Sequence, residues 1–386
     1  MIILEKPYVS ELLEQTLLEK QYPVLQNLSI EEMNLPLNLN YWNESYAAKQ
    51  FKNNKDLLLY SNSENSIKWI AQNLSFTDYP QKIELFKDKV KFRQLISEIY
   101  PDFYFEEIEA ENLSKIDISQ LKIPFIIKPS VGFLSMGVYP VHNVGEWEEV
   151  LSSIFSDMEK MKSDFPIEVI DSSKFIIEEI IEGDEFAIDV YFDKNGHPVI
   201  LNILQHPFSS GKDVSDRVYF TSKEIIQKNL VQFETILAKI GNTAQLKNFP
   251  IHIELRTNGD TIIPIEINPM RFAGWCTTDI AYYAYGINPY EYYFEQKTPN
   301  WDEVLEQKDD SLYYLAIADI PSDIAKNTID SFDYEGFSKN ISQLLAMREI
   351  DFKNHPLFAM VFGQTKNYDE ISDLLELNLS KYTKLL

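Results

Sequence analysis

The stretch from Ile251 to Asn268 constrains this chain more than any other. It reads Ile-His-Ile-Glu-Leu-Arg over 251–256, a turn at Asn258-Gly259-Asp260, then Ile-Pro-Ile-Glu-Ile-Asn over 263–268. Successive residues of an extended chain face opposite sides. Ile251, Ile253 and Leu255 therefore share one face, and His252, Glu254 and Arg256 the other. Ile263, Ile265 and Ile267 oppose Pro264, Glu266 and Asn268 in the same way. An apolar face this regular must pack on a core, and a one-residue slip would invert every side chain. A two-residue Asn-Gly turn sets Glu254 against Ile263 and mixes the faces. A three-residue turn over Asn258-Gly259-Asp260 sets Glu254 opposite Pro264 and His252 opposite Glu266, and keeps apolar with apolar. In that register Glu254 and Glu266 are diagonal neighbours, roughly 7–8 Å apart at the backbone. Two carboxylates and the Asn268 carboxamide at that reach are hard oxygen donors suited to Mg²⁺. A solvated hairpin face with ordinary charges produces the same alternation, so the rest of the chain must decide.

A chain of 386 residues can bury a large core and holds about two or three domains. Its 60 acidic and 35 basic side chains give a net charge of −25. That balance argues against a nucleic-acid or anionic-membrane surface and leaves room for a local basic pocket. The single cysteine, Cys276, excludes an intrachain disulfide and a cysteine-based zinc site. Met1–Leu4 is apolar but too short for a signal-peptide core, and no apolar run spans a bilayer. The expectation is a cytoplasmic protein without nucleic-acid or membrane partners; a homodimer is compatible with it.

Short strands are expected at Met1–Leu4, Pro23–Leu25 and Asp56–Tyr60. A helix is expected at Ser66–Asn73 and a longer one from Ile83 to Tyr100, ended by Pro101. Strand Ile123–Lys128 precedes a helix over Gly145–Met161, with Asn143 and Glu146 placed to cap it. Strands follow at Phe175–Ile181, Glu185–Phe192 and, after an Asn195-Gly196 turn, Val199–Leu204. A helix over Glu224–Ile240 has Thr221 and Glu224 spaced as a capping box and Gly241 as its stop. The tail contains strands Leu312–Ile320 and Leu357–Phe362 and a helix at Tyr368–Tyr382.

Several other residues carry chemistry. Lys128 ends an apolar strand and precedes a loop with small residues, Pro129–Val138. A lysine there can set a point charge on a phosphate, and the loop can lay backbone N–H groups over it. A snorkelling lysine and an ordinary loop explain the same residues. Phe175–Ile181 runs into an acidic, glycine-containing turn before Glu185, which interrupts strand pairing and frees backbone groups for a purine edge; an edge hairpin with solvated acids is the simpler reading. Arg271 follows the carboxylate hairpin and Arg217 lies in a polar stretch, Asp213–Thr221. Either can stabilise charge on a transferred phosphoryl group or form a structural ion pair. No serine, cysteine or histidine nucleophile arrangement is visible.

Taken in order, these pieces resemble the ATP-grasp superfamily: Lys89, then Pro124–Pro129 with Lys128, then Ser135-Met136-Gly137, then Glu178-Glu179-Ile180-Ile181 with Glu185, then Glu254 and Glu266-Ile267-Asn268. The resemblance covers roughly residues 85–300. It implies an α/β (α+β) ATP-grasp fold over 86–308, with a short N-terminal α/β domain over 1–85 and a small C-terminal α/β extension over 309–386. It implies that Lys89 and Lys128 contact ATP phosphates, that Ser135, Met136 and Gly137 close over them, and that Glu178, Glu179, Ile180 and Ile181 hold adenine. Glu185 would take the ribose, and Glu254, Glu266 and Asn268 would bind Mg²⁺ or Mn²⁺. Arg271 and Arg217 are the catalytic arginine candidates. Ser130–Val138, acting with Asp213–Thr221, is the candidate lid.

The reaction implied by the resemblance is ATP-dependent ligation: a carboxylate is activated as an acyl phosphate and captured by an amine, with small amino-acid or peptide-like substrates. A small-molecule kinase and a non-catalytic nucleotide-binding protein are the alternatives on this fold. Two features depart from the family pattern. Phe133 and Leu134 stand where glycines are common, and His252 stands where some ligases have an arginine, which leaves the oxyanion role to Arg271 or, less readily, Arg256.

Overall fold

A computed structural model describes residues 1–131, 137–162, 174–209, 216–259 and 261–386. The N-terminal segment builds a four-stranded parallel sheet from β1 (Ile2–Ile3), β2 (Val24–Leu25), β3 (Tyr41–Trp42) and β4 (Tyr60–Ser61), in the order β3-β2-β1-β4. A second four-stranded sheet, order β5-β8-β6-β7, is antiparallel and uses β5 (Phe105–Glu109), β6 (Phe125–Pro129), β7 (Tyr139–Val141) and β8 (Lys174–Glu179).

The largest sheet has eight strands, β9 (Asp184–Phe192), β10 (Pro198–His206), β11 (Val218–Ser222), β12 (Phe249–Asn258), β13 (Thr261–Pro269), β14 (Leu312–Asp319), β16 (Gln343–Glu349) and β17 (Leu357–Thr365). Its order is β13-β12-β9-β10-β11-β14-β17-β16, so the strands after Leu312 continue the sheet that carries the hairpin. A small pair, β15 (Ile329–Phe332) with β18 (Thr383–Leu385), completes the strands.

Apolar burial separates these sheets into two cores. One core joins the N-terminal sheet to the large sheet, through residues such as Ile3, Tyr60, Phe192, Phe249 and Phe272. The other belongs to the small sheet alone and packs Phe125, Ile127, Phe175 and Ile177 under Trp147, Leu151 and Ile154 of helix Trp147–Lys162. Two cores with a cleft between them place the small sheet as a cap over the edge of the large one. Gly183 sits in the connection, at φ +111°, where a Cβ would lie 2.0 Å from the Thr257 carbonyl oxygen. Only glycine allows the chain to pass that close. Among the described residues no helix is long and apolar enough to cross a membrane.

Several local expectations change. The helix expected from Ile83 to Tyr100 is two helices, Tyr79–Lys87 and Lys89–Leu95. Asp88 breaks it: its backbone is extended and its carboxylate accepts from the N–H groups of Val90 and Lys91. Aspartate is a far better N-cap than an interior residue, and the apolar periodicity hid the break because both helices bury apolar side chains, Ile83 and Phe86 before it, Val90 and Phe92 after it. The helix expected over Glu224–Ile240 runs Lys223–Thr243 and is capped by Ser222 Oγ, not Thr221. Thr221 instead bonds the Tyr285 hydroxyl at 2.8 Å. Gly241 does not stop that helix; it lies inside it, where a Cβ would meet the Phe192 ring at 2.2 Å.

The tail helix ends at Glu376, and Leu379–Tyr382 forms a separate 3₁₀ turn. The strand expected over Asp56–Tyr60 reduces to Tyr60–Ser61, and that expected over Phe175–Ile181 stops at Glu179. Asn143 and Glu146 do cap their helix start reciprocally: Asn143 accepts from the Gly145 N–H, and Glu146 accepts from the His142 N–H.

Candidate functional site

The carboxylate hairpin is built differently from the expected register. Near the turn, Asn258 pairs with Thr261 and Leu255 with Pro264; beyond a bulge, Glu254 pairs with Glu266 and His252 with Asn268. The pairing skips Ile265. The tight turn alone would have set polar against apolar residues all along the hairpin. One extra residue restores the match for the half that is buried, since a bulge shifts register only on one side of itself. The consequence is larger than a correction of register. Glu254 and Glu266 are directly opposite rather than diagonal, which brings their Cβ atoms to about 4.5–5.5 Å.

Neighbouring strands complete the row. His252 pairs across β9 with Asp189, and its Nδ1 is 2.9 Å from Asp189 Oδ1, which also accepts from the Ala273 N–H at 2.7 Å. His252 Nε2 is 3.6 Å from Glu254 Oε1. Burial opposes a charge on this histidine, but Asp189 and Glu254 outweigh it and push its pKa up to about 9. Burial raises the Glu254 pKa and the Glu266 charge adds to it, with His252 opposing. Burial works on Glu266 too, yet Lys89, the Asn268 amide and Lys128 hold it below its ordinary value. Asn268 Nδ2 donates to Glu266 Oε1 at 3.1 Å. Among the described residues no three His, Cys, Asp or Glu side chains converge as a metal cluster; the set here is two carboxylates and a carboxamide.

The lysines approach from the other side. Lys89 begins its helix, donates its N–H to Ser130 O at 2.7 Å, and holds Nζ 3.9 Å from Glu266 Oε2. Burial lowers its pKa, against the pull of Glu266. Lys128, near the end of β6, is buried and forms an ion pair at 2.5 Å with Glu178 Oε1. Arg93 Nε donates to the other Glu178 oxygen at 2.7 Å. Glu178 is 0 % exposed. Burial alone would raise its pKa, but Lys128 and Arg93 hold it at about 2.

Five of these groups face one cavity of about 440 Å³ between the small and large sheets. Lys89, Lys128, Glu178, Glu254 and Glu266 line one part of it. Ile126, Val138, Pro140, Ile180, Ile181 and Phe208 give apolar walls elsewhere. Ile180 and Ile181 lie just past the end of β8, where ladder pairing has stopped. Glu185 also lines the cavity, but its carboxylate is already bonded to His206 Nδ1 (3.1 Å) and Arg256 Nε (3.0 Å). Arg256 further donates to the Ile181 carbonyl at 2.7 Å.

Other candidates lie apart from this group. The Glu179 side chain pairs with Lys122 and accepts from the Tyr104 N–H. Arg217 donates to the carbonyls of Leu375 (3.2 Å) and Leu377 (2.9 Å), closing the end of helix Tyr368–Glu376 where carbonyls lack partners; it is not brought to the cavity. Arg271 bonds the Phe272 carbonyl at 3.0 Å and lies 3.4 Å from Glu64, which also holds Lys87 at 2.5 Å. It follows the carboxylate hairpin by two residues, β13 ending at Pro269, but it does not line the cavity. Gly137 is exposed. Ser135 and Met136 lie outside the described residues, as do the rest of 132–136 in one lid candidate and 213–215 in the other.

Sequence reasoning passed over Arg93, Asp189 and His206. Arg93 had a signal: it is four residues after Lys89, hence on the same helix face.

Comparison with known proteins bears on the fold. Residues 121–279 match the model of an ATP-grasp domain. No curated protein sequence matches the chain. Among solved structures, an L-amino acid ligase from Bacillus licheniformis superposes with a TM-score of 0.66 at 18% identity, over 100% of this chain and 98% of that one. N5-carboxyaminoimidazole ribonucleotide synthetase from Thermotoga maritima gives 0.64 at 14% identity, over 100% and 99%. A biotin carboxylase from Campylobacter jejuni, in complex with β-γ-ATP, gives 0.63 at 11% identity, over 100% and 92%. Residues 121–279 thus match an ATP-grasp domain, and the whole chain shares its fold with these solved structures.

Proposed function

We propose that the protein is an ATP- and Mg²⁺-dependent ligase that activates a small carboxylate as its acyl phosphate and couples it to an amine, with amino-acid or peptide-like substrates. The observation that carries this reading is the meeting, in one cavity, of Lys89 and Lys128 with the cross-strand pair Glu254 and Glu266.

The residues fit both ligands. Glu254 and Glu266 are directly opposed like charges, and burial together with that repulsion raises the Glu254 pKa. A divalent cation relieves such a pair, and two carboxylates with a carboxamide are oxygen donors of the kind Mg²⁺ accepts. Glu254, Glu266 and Asn268 would hold the ion, which when bound neutralises charge on phosphate oxygens. Lys89 and Lys128 add positive charge for the phosphates of ATP, and the apolar wall of Ile126, Ile180 and Ile181 suits a purine face.

In the reaction, a carboxylate oxygen attacks the γ-phosphorus and ADP leaves. The amine nitrogen then attacks the acyl carbon, phosphate departs, and the nitrogen loses a proton. No protein nucleophile is needed, so the contribution of the chain is positioning and electrostatics. The L-amino acid ligase likeness supports amino acids as the first substrates to try. Arg271, which follows β13 by two residues, is the arginine proposed to meet negative charge on the substrate; Arg217, whose guanidinium bonds the Leu375 and Leu377 carbonyls, is the second candidate.

The test is release of ADP and phosphate by the purified protein with MgATP and pools of amino acids and dipeptides, with mass spectrometry of products. Substrate-dependent phosphate release with a product lighter than its two precursors by one water, absent in Glu266→Ala, is the expected result. A product heavier by a phosphoryl group makes the protein a kinase. Nucleotide binding without turnover in any pool makes it a nucleotide-binding protein.

A further inference from the structure

We infer that Arg93 is a positioning residue that sets the separation between the lysine wall and the carboxylate wall of the cleft; its role in nucleotide handling rests on the ligase reading above. Three acceptors from two sheets converge on its guanidinium. Nε donates to Glu178 Oε2 at 2.7 Å, Nη1 to the Pro264 carbonyl at 2.6 Å, and Nη2 to the Ile265 carbonyl at 3.4 Å. Glu178 belongs to β8 of the small sheet and its other oxygen holds Lys128. Pro264 and Ile265 belong to β13 at the bulge, immediately before Glu266. No other described side chain bonds both Glu178 and the backbone at that bulge.

The geometry of the group suits the task. A guanidinium is a rigid planar fork whose donors are fixed relative to one another, so bonds to three acceptors fix the acceptors too. Its face is covered by the Phe103 ring, 4.4 Å from Cζ to centroid, and Arg93 is only 2 % exposed. Arg93 also shares a helix with Lys89, four residues away. One side chain thus references Lys89 through its own helix, Lys128 through Glu178, and Glu266 through the bulge. The small sheet has its own apolar core, so burial within that sheet does not set this spacing. A polar link across the cleft does. Lysine cannot replace arginine here, because an ammonium is a point charge on a flexible stem.

Two readouts test this. The first is Mn²⁺ binding by electron paramagnetic resonance, with and without a non-hydrolysable ATP analogue. In the wild type the analogue tightens Mn²⁺ binding. In Arg93→Met that tightening is expected to shrink about tenfold, a typical coupling magnitude, while Mn²⁺ binding to the nucleotide-free protein changes little. Arg93→Lys should recover little of it. A merely structural role would weaken both states alike, and unchanged tightening in Arg93→Met overturns the inference.

The second readout needs no ligand. Amide hydrogen exchange over Ile265–Ile267 is expected to quicken in Arg93→Met and Arg93→Lys but not in Lys91→Gln, a change on the same helix. Unchanged protection overturns the inference. A wild type that binds neither nucleotide nor Mn²⁺ refutes the ligase reading instead, and exchange alone then judges Arg93. If Arg93→Met does not fold, Arg93→Lys carries both measurements.

Discussion

On the wall built by the small sheet, Glu178 lies fully buried between Lys128 and Arg93, with a cation on each carboxylate oxygen. On the wall built by the large sheet, Glu254 and Glu266 oppose each other across the hairpin, 27% and 35% exposed, with Lys89 no nearer than 3.9 Å. Both walls gather charge in a place where water is scarce. The first holds one carboxylate between two cations and needs no ligand to keep its shape, while its surplus positive charge faces the cavity through Lys128. The second leaves two like charges facing each other, which costs free energy until a cation arrives. A satisfied buried network holds the shape of the protein, and an unsatisfied one marks where something else binds.

The largest expected effect tests the open wall. Glu254→Gln should lower turnover by about a hundredfold or more, since one metal carboxylate supplies several kcal/mol of charge stabilisation. The nucleotide-free protein should melt no lower than the wild type, because the neutral amide relieves repulsion from Glu266 and His252 keeps Asp189. Steady-state phosphate release and thermal unfolding, run on the same preparation, check the two halves. A clear loss of stability without nucleotide would place Glu254 with Glu178, as scaffold, and the contrast between the walls would be gone.

The closed wall makes the opposite prediction. Glu178→Gln leaves Lys128 and Arg93 buried without their counter-charge, which typically costs about 3–5 kcal/mol. Chemical denaturation at pH 7 measures it. The pH dependence carries the sign. Glu178 is held at about 2 against an ordinary value of 4.5, so folding favours its ionised form. Its stabilisation is complete above pH 4.5 and is lost as the pH falls from there towards 2, an effect of about 3 kcal/mol. The gap between wild type and Glu178→Gln should narrow over that window. A gap that does not change with pH would mean that shape, not charge, sets the value of the carboxylate.

How much of this was legible in the sequence follows the range of the interactions. Alternation along Ile251–Asn268 identified the polar face, because strand periodicity is local. The register was not legible: a bulge at Ile265 leaves no trace in the alternation, yet it turns a diagonal pair of glutamates into a facing one. Lys128 could be placed at a strand end, but Lys89 fell inside a helix expected to run unbroken from Ile83 to Tyr100, and the Arg93–Glu178 link, 85 positions apart, could not be placed at all. The bonds of Arg217 to the helix end were hidden for the same reason, since its acceptors are 158 and 160 positions away.

Gly241 shows the limit most simply. A glycine near a helix end suggests a stop, but here it makes room for Phe192 on the sheet. Gly241→Ala should therefore cost about 1–3 kcal/mol by overpacking, where a helix terminator at an ordinary backbone angle would have tolerated alanine. A denaturation midpoint decides between them, and because Phe192 belongs to the large core it should move stability without touching turnover.

Another buried carboxylate sharpens the comparison from outside the cleft. Asp279 is 0 % exposed, and the hydroxyls of Ser10 and Tyr290 each lie 3.1 Å from its Oδ1. Among the described residues its Oδ2 has no hydrogen-bond partner, and no cation lies within ion-pair distance. It has neither the internal cations of Glu178 nor the open cavity of Glu254. What remains is a proton, and burial pushes its pKa up to about 7 from an ordinary 3.8, with the two hydroxyls opposing. The unfolded chain gives up that proton near pH 3.8 while the folded one keeps it until about 7. Stability from this residue is therefore greatest below pH 3.8 and declines as the pH rises to 7. Asp279→Asn, which cannot ionise, should be more stable than the wild type at pH 8 by about 1 kcal/mol, the full linkage being offset by an amide N–H left without an acceptor. At pH 4 the advantage should vanish or reverse. Urea midpoints at the two pH values measure it. An advantage equal at both would show that a buried carboxylate in this fold tolerates its charge without cation or proton, and the repulsion between Glu254 and Glu266 would then no longer point to a missing ion.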